Sequence, residues 1–286
     1  MHVVSLIASP GRLDRALVAG LQGALGGGGA VWLPPDEAAE FTVERMPAEI
    51  GRIRGEIAGM GVDVNCFPLA IRRKRLLIAD MDSTMIGQEC IDELADEAGV
   101  GARVAEITAR AMNGELDFEA ALTERVGLLA GLPVAVIDKV VETRITLAPG
   151  GATLVATMKS NGARTALVSG GFTQFTSRIG ARLGFDETRA NTLIEKDGRL
   201  TGAVAHPILG RAAKAEALRA LSPDPADALA VGDGANDLGM IALAGMGVAL
   251  HAKPVVAAAA PLRIDHNDLT SLLFLQGYAR DEFQTR

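Results

Sequence analysis

Hydrophobic and polar positions change rhythm several times along this chain of 286 residues. Val3 to Ala8 is a strand-like run. Leu13, Leu17, Leu21 and Leu25 then recur every four residues, which predicts a helix over 13–25. Gly26 to Gly29 ends it as a C-cap and loop. Ala30 to Leu33 and Glu40 to Val43 read as strands on either side of Pro34-Pro35. A second helix is predicted over 47–58, with Pro47 at its first position and Ile50, Ile53 and Ile57 facing inward. Val62 to Phe67 alternates like a strand. The order β-α-β-β-α-β is that of a ferredoxin-like module, expected to occupy residues 1–72. Ile71-Arg72-Arg73-Lys74-Arg75 reads as a solvated linker.

The pattern then changes. Leu76, Leu77, Ile78 and Ala79 are apolar without alternation, as in a strand buried on both faces of a parallel sheet. Four segments of helical period follow, at 91–98, 104–113, 118–129 and 134–141, punctuated by Gly99, Gly114, Gly131 and Pro133. A helical insert placed there reads as a cap, spanning approximately 88–147 and closed by Pro149-Gly150-Gly151. Strands and helices alternate afterwards. The helices are predicted over 152–160, 173–183, 211–220 and 237–244, and the strands over 165–168, 228–232 and 247–250. Asp197-Gly198 predicts a hairpin within 191–204. The fold class is therefore α/β, a Rossmann-like parallel sheet over 73–286 carrying the helical cap, with an α+β module ahead of it. The strand order is not readable from this pattern.

Composition narrows the function. Nearly half the residues are apolar and only 3% aromatic, so the core must be built from Ala, Val, Leu and Ile. A net charge of -7 argues against a nucleic-acid surface, though not against a small anionic substrate. No apolar run approaches the ~20 residues of a membrane span. Two cysteines without CxxC spacing fit a reduced compartment, and the short apolar start has no basic leader, so the cytoplasm is the expected location. The oligomeric state stays open, a homodimer being one arrangement.

Chemistry gathers at strand ends. Asp80 and Asp82 follow the buried run, Ser169-Gly170-Gly171 follows the strand at 165–168, and Gly232-Asp233-Gly234-Ala235-Asn236-Asp237 follows the strand at 228–232. Parallel strands would bring these loops to one edge of the sheet, where such folds bind ligands. Several carboxylates there suit a small hard cation such as Mg²⁺. Ser169 and the amides of Gly170 and Gly171 open a helix, a site for an anion, and Lys214 adds positive charge. Each has a plainer reading alone, as a polar turn, a glycine loop or a surface lysine. Together they do not. Leu167 breaks the serine-hydrolase elbow, the glycine-rich run at 26–29 lacks the Lys-Ser/Thr of a P-loop, and the four histidines have no ligand spacing.

DMDST at 80–84, SGGF at 169–172, Lys214 and GDGANDLGM at 232–240 resemble the four motifs of the haloacid dehalogenase superfamily. The segments IGQECIDELADEAGV and MNGELDFEAALTERVGLLAGLP are similar to the cap of its phosphoserine phosphatase branch. The resemblance covers roughly residues 74–275. It implies a Mg²⁺-dependent phosphatase that releases L-serine from the small molecule O-phospho-L-serine through an aspartyl phosphate, the last step of serine biosynthesis. It implies Asp80 as nucleophile and Asp82 as general acid/base. Mg²⁺ would be held by Asp80, the main-chain carbonyl of Asp82, and Asp233. Ser169, Gly170, Lys214 and Asn236 would bind the phosphate side, with Asp237 in support. Glu89 and Arg125 would read the substrate's ammonium and carboxylate. The module resembles a single, diverged ACT-type regulatory domain. Rival readings are a phosphoryl-transferring relative, a signalling receiver, and a binding protein without turnover. Asp82 argues against the receiver, because it would speed loss of a stored phosphate.

Overall fold

The computed structural model describes the chain apart from Ile71, Asn113, Gly114, Arg211 and Arg286, and apart from the Met112 side chain. The expected linker start at Ile71, helix end at Asn113, break at Gly114 and helix start at Arg211 lie outside the described residues.

Strands β1 (His2–Ala8), β2 (Val31–Trp32), β3 (Ala38–Val43) and β4 (Val62–Pro68) form an antiparallel sheet in the order β2-β3-β1-β4. Helices α1 (Arg15–Ala24) and α2 (Ile50–Ile57) complete the expected β-α-β-β-α-β order. Asp14 caps α1 by accepting from the Ala16 amide at 2.7 Å. The second helix begins at Ile50, so Pro47 lies ahead of it rather than in its first turn. Alternation along β1 separates two faces. Val4, Leu6 and Ala8 join the module's own core with Val18 and Ile53, while Val3 and Ile7 join the large core of the rest of the chain.

The second sheet contains β5 (Leu76–Ala79), β6 (Arg164–Phe172), β7 (Glu187–Asn191), β10 (Ala228–Gly232), β11 (Met246–Leu250) and β12 (Leu262–Ile264). Its order is β12-β11-β10-β5-β6-β7, with every neighbouring pair parallel. Between β5 and β6 the chain forms the cap helices α3 (Cys90–Glu97), α4 (Gly101–Met112), α5 (Phe118–Gly127) and α6 (Ala135–Thr143), then returns through α7 (Gly151–Ser160). Helix α8 (Thr173–Leu183) joins β6 to β7. The hairpin β8 (Leu193–Lys196) and β9 (Arg199–Val204) turns at Asp197-Gly198, both with positive φ. Helices α9 (Ala213–Leu221), α10 (Leu238–Leu243), α11 (Pro254–Ala259) and α12 (Ser271–Leu275) complete the α-helices among the described residues. All four residues of β5 are at most 2% exposed, as a strand covered on both faces requires.

The segment expected to be a solvated linker is a polar seam. Arg72 forks onto Glu40 of β3 at 2.9 and 2.6 Å and donates to the carbonyl of Leu275. Arg73 lies over the Tyr278 ring and pairs with Glu282. Lys74 is buried, with its ammonium on the Ala226 carbonyl at 2.7 Å. Two buried residues of β4 extend the seam. The Asp63 carboxylate accepts from the amides of Asp265, His266 and Asn267 at 2.7, 3.2 and 3.1 Å. The Asn65 amide exchanges two bonds with the main chain of Arg263, imitating a strand beside β12.

Candidate active site

Three neighbouring parallel strands, β10, β5 and β6, bring their groups to the same edge. Asp233 and Asp80 with Asp82 follow the ends of β10 and β5. Ser169 to Gly171, expected to open a helix, instead lie inside the last part of β6, and α8 starts only at Thr173. The Asp80 amide donates to the Val231 carbonyl, which continues the ladder to the last residue before the turn. Ser83 then takes a positive φ of 54°, a strained conformation for a residue with a side chain. Strand β6 shifts register between Val168 and Phe172, and this irregularity frees Ser169 to Gly171 from the ladder.

The floor is a closed ionic cluster. Lys214, on α9, places its ammonium 2.7 Å from Asp80 Oδ1 and 2.5 Å from Asp237 Oδ1. Asp80 Oδ1 also accepts from the Met81 amide at 2.7 Å, and Asp237 Oδ2 from the Gly234 amide at 2.9 Å. Thr84 Oγ1 donates to Asp233 Oδ1 at 3.2 Å. Gly232 is required here, because a Cβ would stand 2.3 Å from the Asp237 carboxyl carbon. Burial pushes Asp80 well above the usual carboxylate range; Lys214 opposes the shift and Asp237 adds to it. Asp233 is raised by burial and by Asp237. Burial works against the Lys214 charge, but Asp80 and Asp237 overcome it and raise its pKa.

Asp80, Asp233 and Asp237 bring carboxylate oxygens within 4.8 Å of one another. Three carboxylates against the single Lys214 ammonium leave negative charge that a divalent cation would balance. Both Asp237 oxygens are engaged by protein donors, whereas Asp80 Oδ2 and Asp233 Oδ2 accept no hydrogen bond among the described residues. Two buried oxygen donors at strand ends fit a hard cation, with Asp237 as the residue that holds Lys214.

Asp82 stands between floor and cap. Its Oδ1 accepts from the Cys90 amide at the start of α3 at 2.9 Å, and its Oδ2 from the Ser169 hydroxyl at 3.1 Å. Ser169 Oγ in turn accepts from the Gly171 amide at 2.8 Å. A Cβ at Gly171 would lie 2.8 Å from Asp82 Oδ2, so a side chain there would push that carboxylate out of its place.

A haloacid dehalogenase-like hydrolase family model matches residues 77–242, more than half of the chain. The chain belongs to the haloacid dehalogenase-like hydrolases. Among curated relatives of this haloacid dehalogenase-like hydrolase, a phosphoserine phosphatase from Streptomyces coelicolor is 45% identical over 258 residues, covering 87% of this chain and 63% of the relative. The chain thus spans less than two thirds of that protein. A phosphoserine phosphatase from Polaromonas is 45% identical over 226 residues, covering 76% of this chain and 96% of its own length. A haloacid dehalogenase family hydrolase from Salmonella enterica serovar Typhi superposes with a TM-score of 0.87 at 33% identity, covering 98% of this chain and 99% of that one.

Floor and cap of this haloacid dehalogenase-like hydrolase enclose a cavity of about 620 Å³. Asp80, Asp82, Glu89, Arg125, Ser169, Gly170, Asp233 and Asn236 all line it, and Lys214 lies just beneath. Arg125 is half-buried on α5, bonded to its own helix at Ala121 O (3.2 Å) and to Thr108 Oγ1 (3.4 Å). Burial lowers its pKa, with Asp92 and Glu89 partly offsetting. Glu89 Oε1 accepts from Ser83 Oγ at 2.8 Å. The residue is exposed through the open cavity, yet its carboxyl is enclosed enough that burial, then the Asp82 charge, raises its pKa. Among the lining residues that sequence reasoning missed are Asp92, Phe118 and Lys253. A findable signal existed for Lys253, which lies in the loop after β11, at the strand end where Asp80 follows β5.

Proposed function

We propose that this chain hydrolyses O-phospho-L-serine to L-serine and phosphate. The observation that carries the reading is one cavity with two walls: the Asp80–Lys214–Asp237 cluster below, and Arg125 with Glu89 above. The names of the Streptomyces and Polaromonas relatives support it. Asp80 attacks phosphorus, and the bond to the serine oxygen breaks. Asp82 gives its proton to that oxygen. Ionised Asp82 then takes a proton from water, which attacks the phosphorus of phospho-Asp80; the acyl phosphate bond breaks, freeing Asp80 and inorganic phosphate. Asp80, the Asp82 carbonyl and Asp233 would hold a Mg²⁺, which would supply charge to offset repulsion between carboxylate and phosphate dianion. Lys214 steadies the phosphoryl oxygens, and Ser169, Gly170 and Asn236 cradle them. The Ser169 hydroxyl has one proton and gives it to Asp82, so it must release Asp82 to bind phosphate.

In this reading residues 1–72 are an ACT-type module and 73–286 the phosphatase, with its cap at 88–147. Two buried, unpaired cysteines support a cytoplasmic location. A homodimer would leave the site intact, since one chain supplies every group assigned to it. The test is phosphate release from L-phosphoserine with Mg²⁺ and with a chelator. Mg²⁺-dependent release is expected; no release in either condition would overturn the reading.

A further inference from the structure

The mechanism uses Ser169, Gly170 and Lys214, yet it does not explain what holds the loop of the first two against the helix of the third. One buried side chain touches both the loop and the segment that leads into that helix. Asn191 is the last residue of β7, 2% exposed and outside the cavity lining. Its Nδ2 donates to the Gly170 carbonyl at 2.9 Å and reaches the Leu209 carbonyl at 3.5 Å. Its Oδ1 accepts from the Leu209 amide at 2.7 Å. Leu209 lies five residues before Lys214, on the segment leading into α9.

The Gly170 carbonyl matters because of what faces it. Gly170-Gly171 is a glycine pair released from the β-ladder at the shift in register. Such a peptide can rotate at little steric cost. Turned around, it would aim a carbonyl oxygen into a cavity that must receive an anion, and take the Gly171 amide off Ser169 Oγ. The Asn191 amide holds that carbonyl on the side away from the cavity. The same side chain fixes Leu209 and so sets the spacing between cradle loop and α9.

We propose that Asn191 is a positioning residue for phosphate recognition. It orients the Gly170-Gly171 peptide and ties it to the segment before Lys214. The proposal rests on the phosphatase reading but not on serine as the leaving group.

The test compares wild type, Asn191→Ala and Asn191→Asp, each assayed well below its own melting midpoint. Aspartate keeps an acceptor for Leu209 but, ionised, offers the Gly170 carbonyl no donor. Substrates are L-phosphoserine and p-nitrophenyl phosphate, with inorganic phosphate as competitive inhibitor. In both variants KM for both substrates and the phosphate inhibition constant should rise together by about tenfold, as for loss of one bond to a buried group. A wild-type phosphate inhibition constant in either variant would overturn the proposal, however far the melting midpoint falls. If neither variant folds, wild-type amide exchange decides. Inorganic phosphate with Mg²⁺ should slow exchange at Leu209 as well as at Gly170; slowing at Gly170 alone would overturn it. Wild type that cleaves the aryl phosphate but not phosphoserine would remove the substrate assignment and leave the Asn191 test standing.

Discussion

The floor and the roof of the cavity are built on opposite principles. On the floor, Lys214 is 3% exposed and held by two carboxylates at 2.5 and 2.7 Å. Each of those carboxylates has a further main-chain donor. On the roof, Arg125 is half-buried, and no carboxylate among the described residues lies within ion-pairing distance of it. Its contacts, at 3.2 and 3.4 Å, go to a carbonyl of its own helix and to a hydroxyl. A half-buried cation with no ion-pair partner among the described residues gains most from an anion brought by a ligand. The floor is therefore organised before substrate arrives, and the roof is completed by it. Chemistry should fail when the floor is altered, and choice of substrate when the roof is.

The largest effect belongs to the floor. Asp80→Asn should leave no measurable turnover of any phosphomonoester, since an amide does not attack phosphorus. Peptide mapping of wild type after trapping the phosphoryl group should place it on Asp80. A phosphorylated Ser169 instead would remove the whole floor argument. Asp82 joins floor to cap, and Asp82→Asn should cost roughly two to four powers of ten, the usual contribution of general acid/base catalysis. The substitution keeps an acceptor for the Cys90 amide, so the loss should be chemical rather than structural. With formation of the phospho-enzyme limiting, an aryl phosphate should suffer less, because its leaving group needs less protonation. Equal losses on both substrates would take Asp82 out of the acid role.

The floor was legible in the sequence and the seam was not, for a physical reason. A strand buried on both faces must be apolar throughout, so the polar residues at its end stand out, as Asp80 and Asp82 do after β5. Strand β7 shows no such signal. Glu187-Thr188-Arg189-Ala190-Asn191 is a sheet edge held by main-chain pairing with β6, four of its five residues only partly buried. Strand β12 has three residues, too few for any period to show. Arg72 to Lys74 looked solvated because charge in a sequence says nothing about distant partners, and Glu40, Ala226 and Glu282 are far along the chain. A clue was available in β1, where Val3 and Ile7 on one face and Val4 and Leu6 on the other are all apolar, which implies that both faces of this antiparallel strand are covered. Asn191 carries no comparable signal; its importance appears only when Gly170 and Leu209 meet around it.

The roof should separate substrates where the floor does not. Arg125→Lys keeps the charge but loses the planar fork that a carboxylate accepts in two bonds. For L-phosphoserine kcat/KM should fall by on the order of ten- to a hundredfold, the ~1.5–3 kcal/mol of a hydrogen bond to a charged group. Phosphoethanolamine, which has no carboxylate, should be handled about as wild type handles it. A proportional loss on both would mean that Arg125 supports the cap or the phosphate, and the roof would lose its selective role.

The smallest effect tests the cavity's mouth, where floor and roof meet. Of the described lining residues, Asp80, Asp82, Glu89, Asp92 and Asp233 carry carboxylates, and only Arg125 and Lys253 carry cations. A phosphate dianion entering such a cavity meets repulsion before it reaches Lys214. Lys253 is exposed, follows the end of β11 and has its amide on the Asp233 carbonyl at 3.3 Å. Its charge lowers the Asp233 pKa, against the larger effect of burial. An exposed cation acts through water, so its help is modest and is screened by salt over a Debye length of ~8–10 Å at 0.1–0.15 M. Lys253→Met should therefore lower kcat/KM about three- to tenfold at low ionic strength while leaving kcat nearly unchanged. Raising the salt should bring variant and wild type together, because salt removes from wild type what the mutation removes from the variant. A deficit that persists unchanged at about 1 M salt, where the Debye length is ~3 Å, would mean direct contact between Lys253 and the substrate. Lys253 would then belong with the floor, and the division drawn between pre-organised floor and substrate-completed roof would have to be moved outward by one residue.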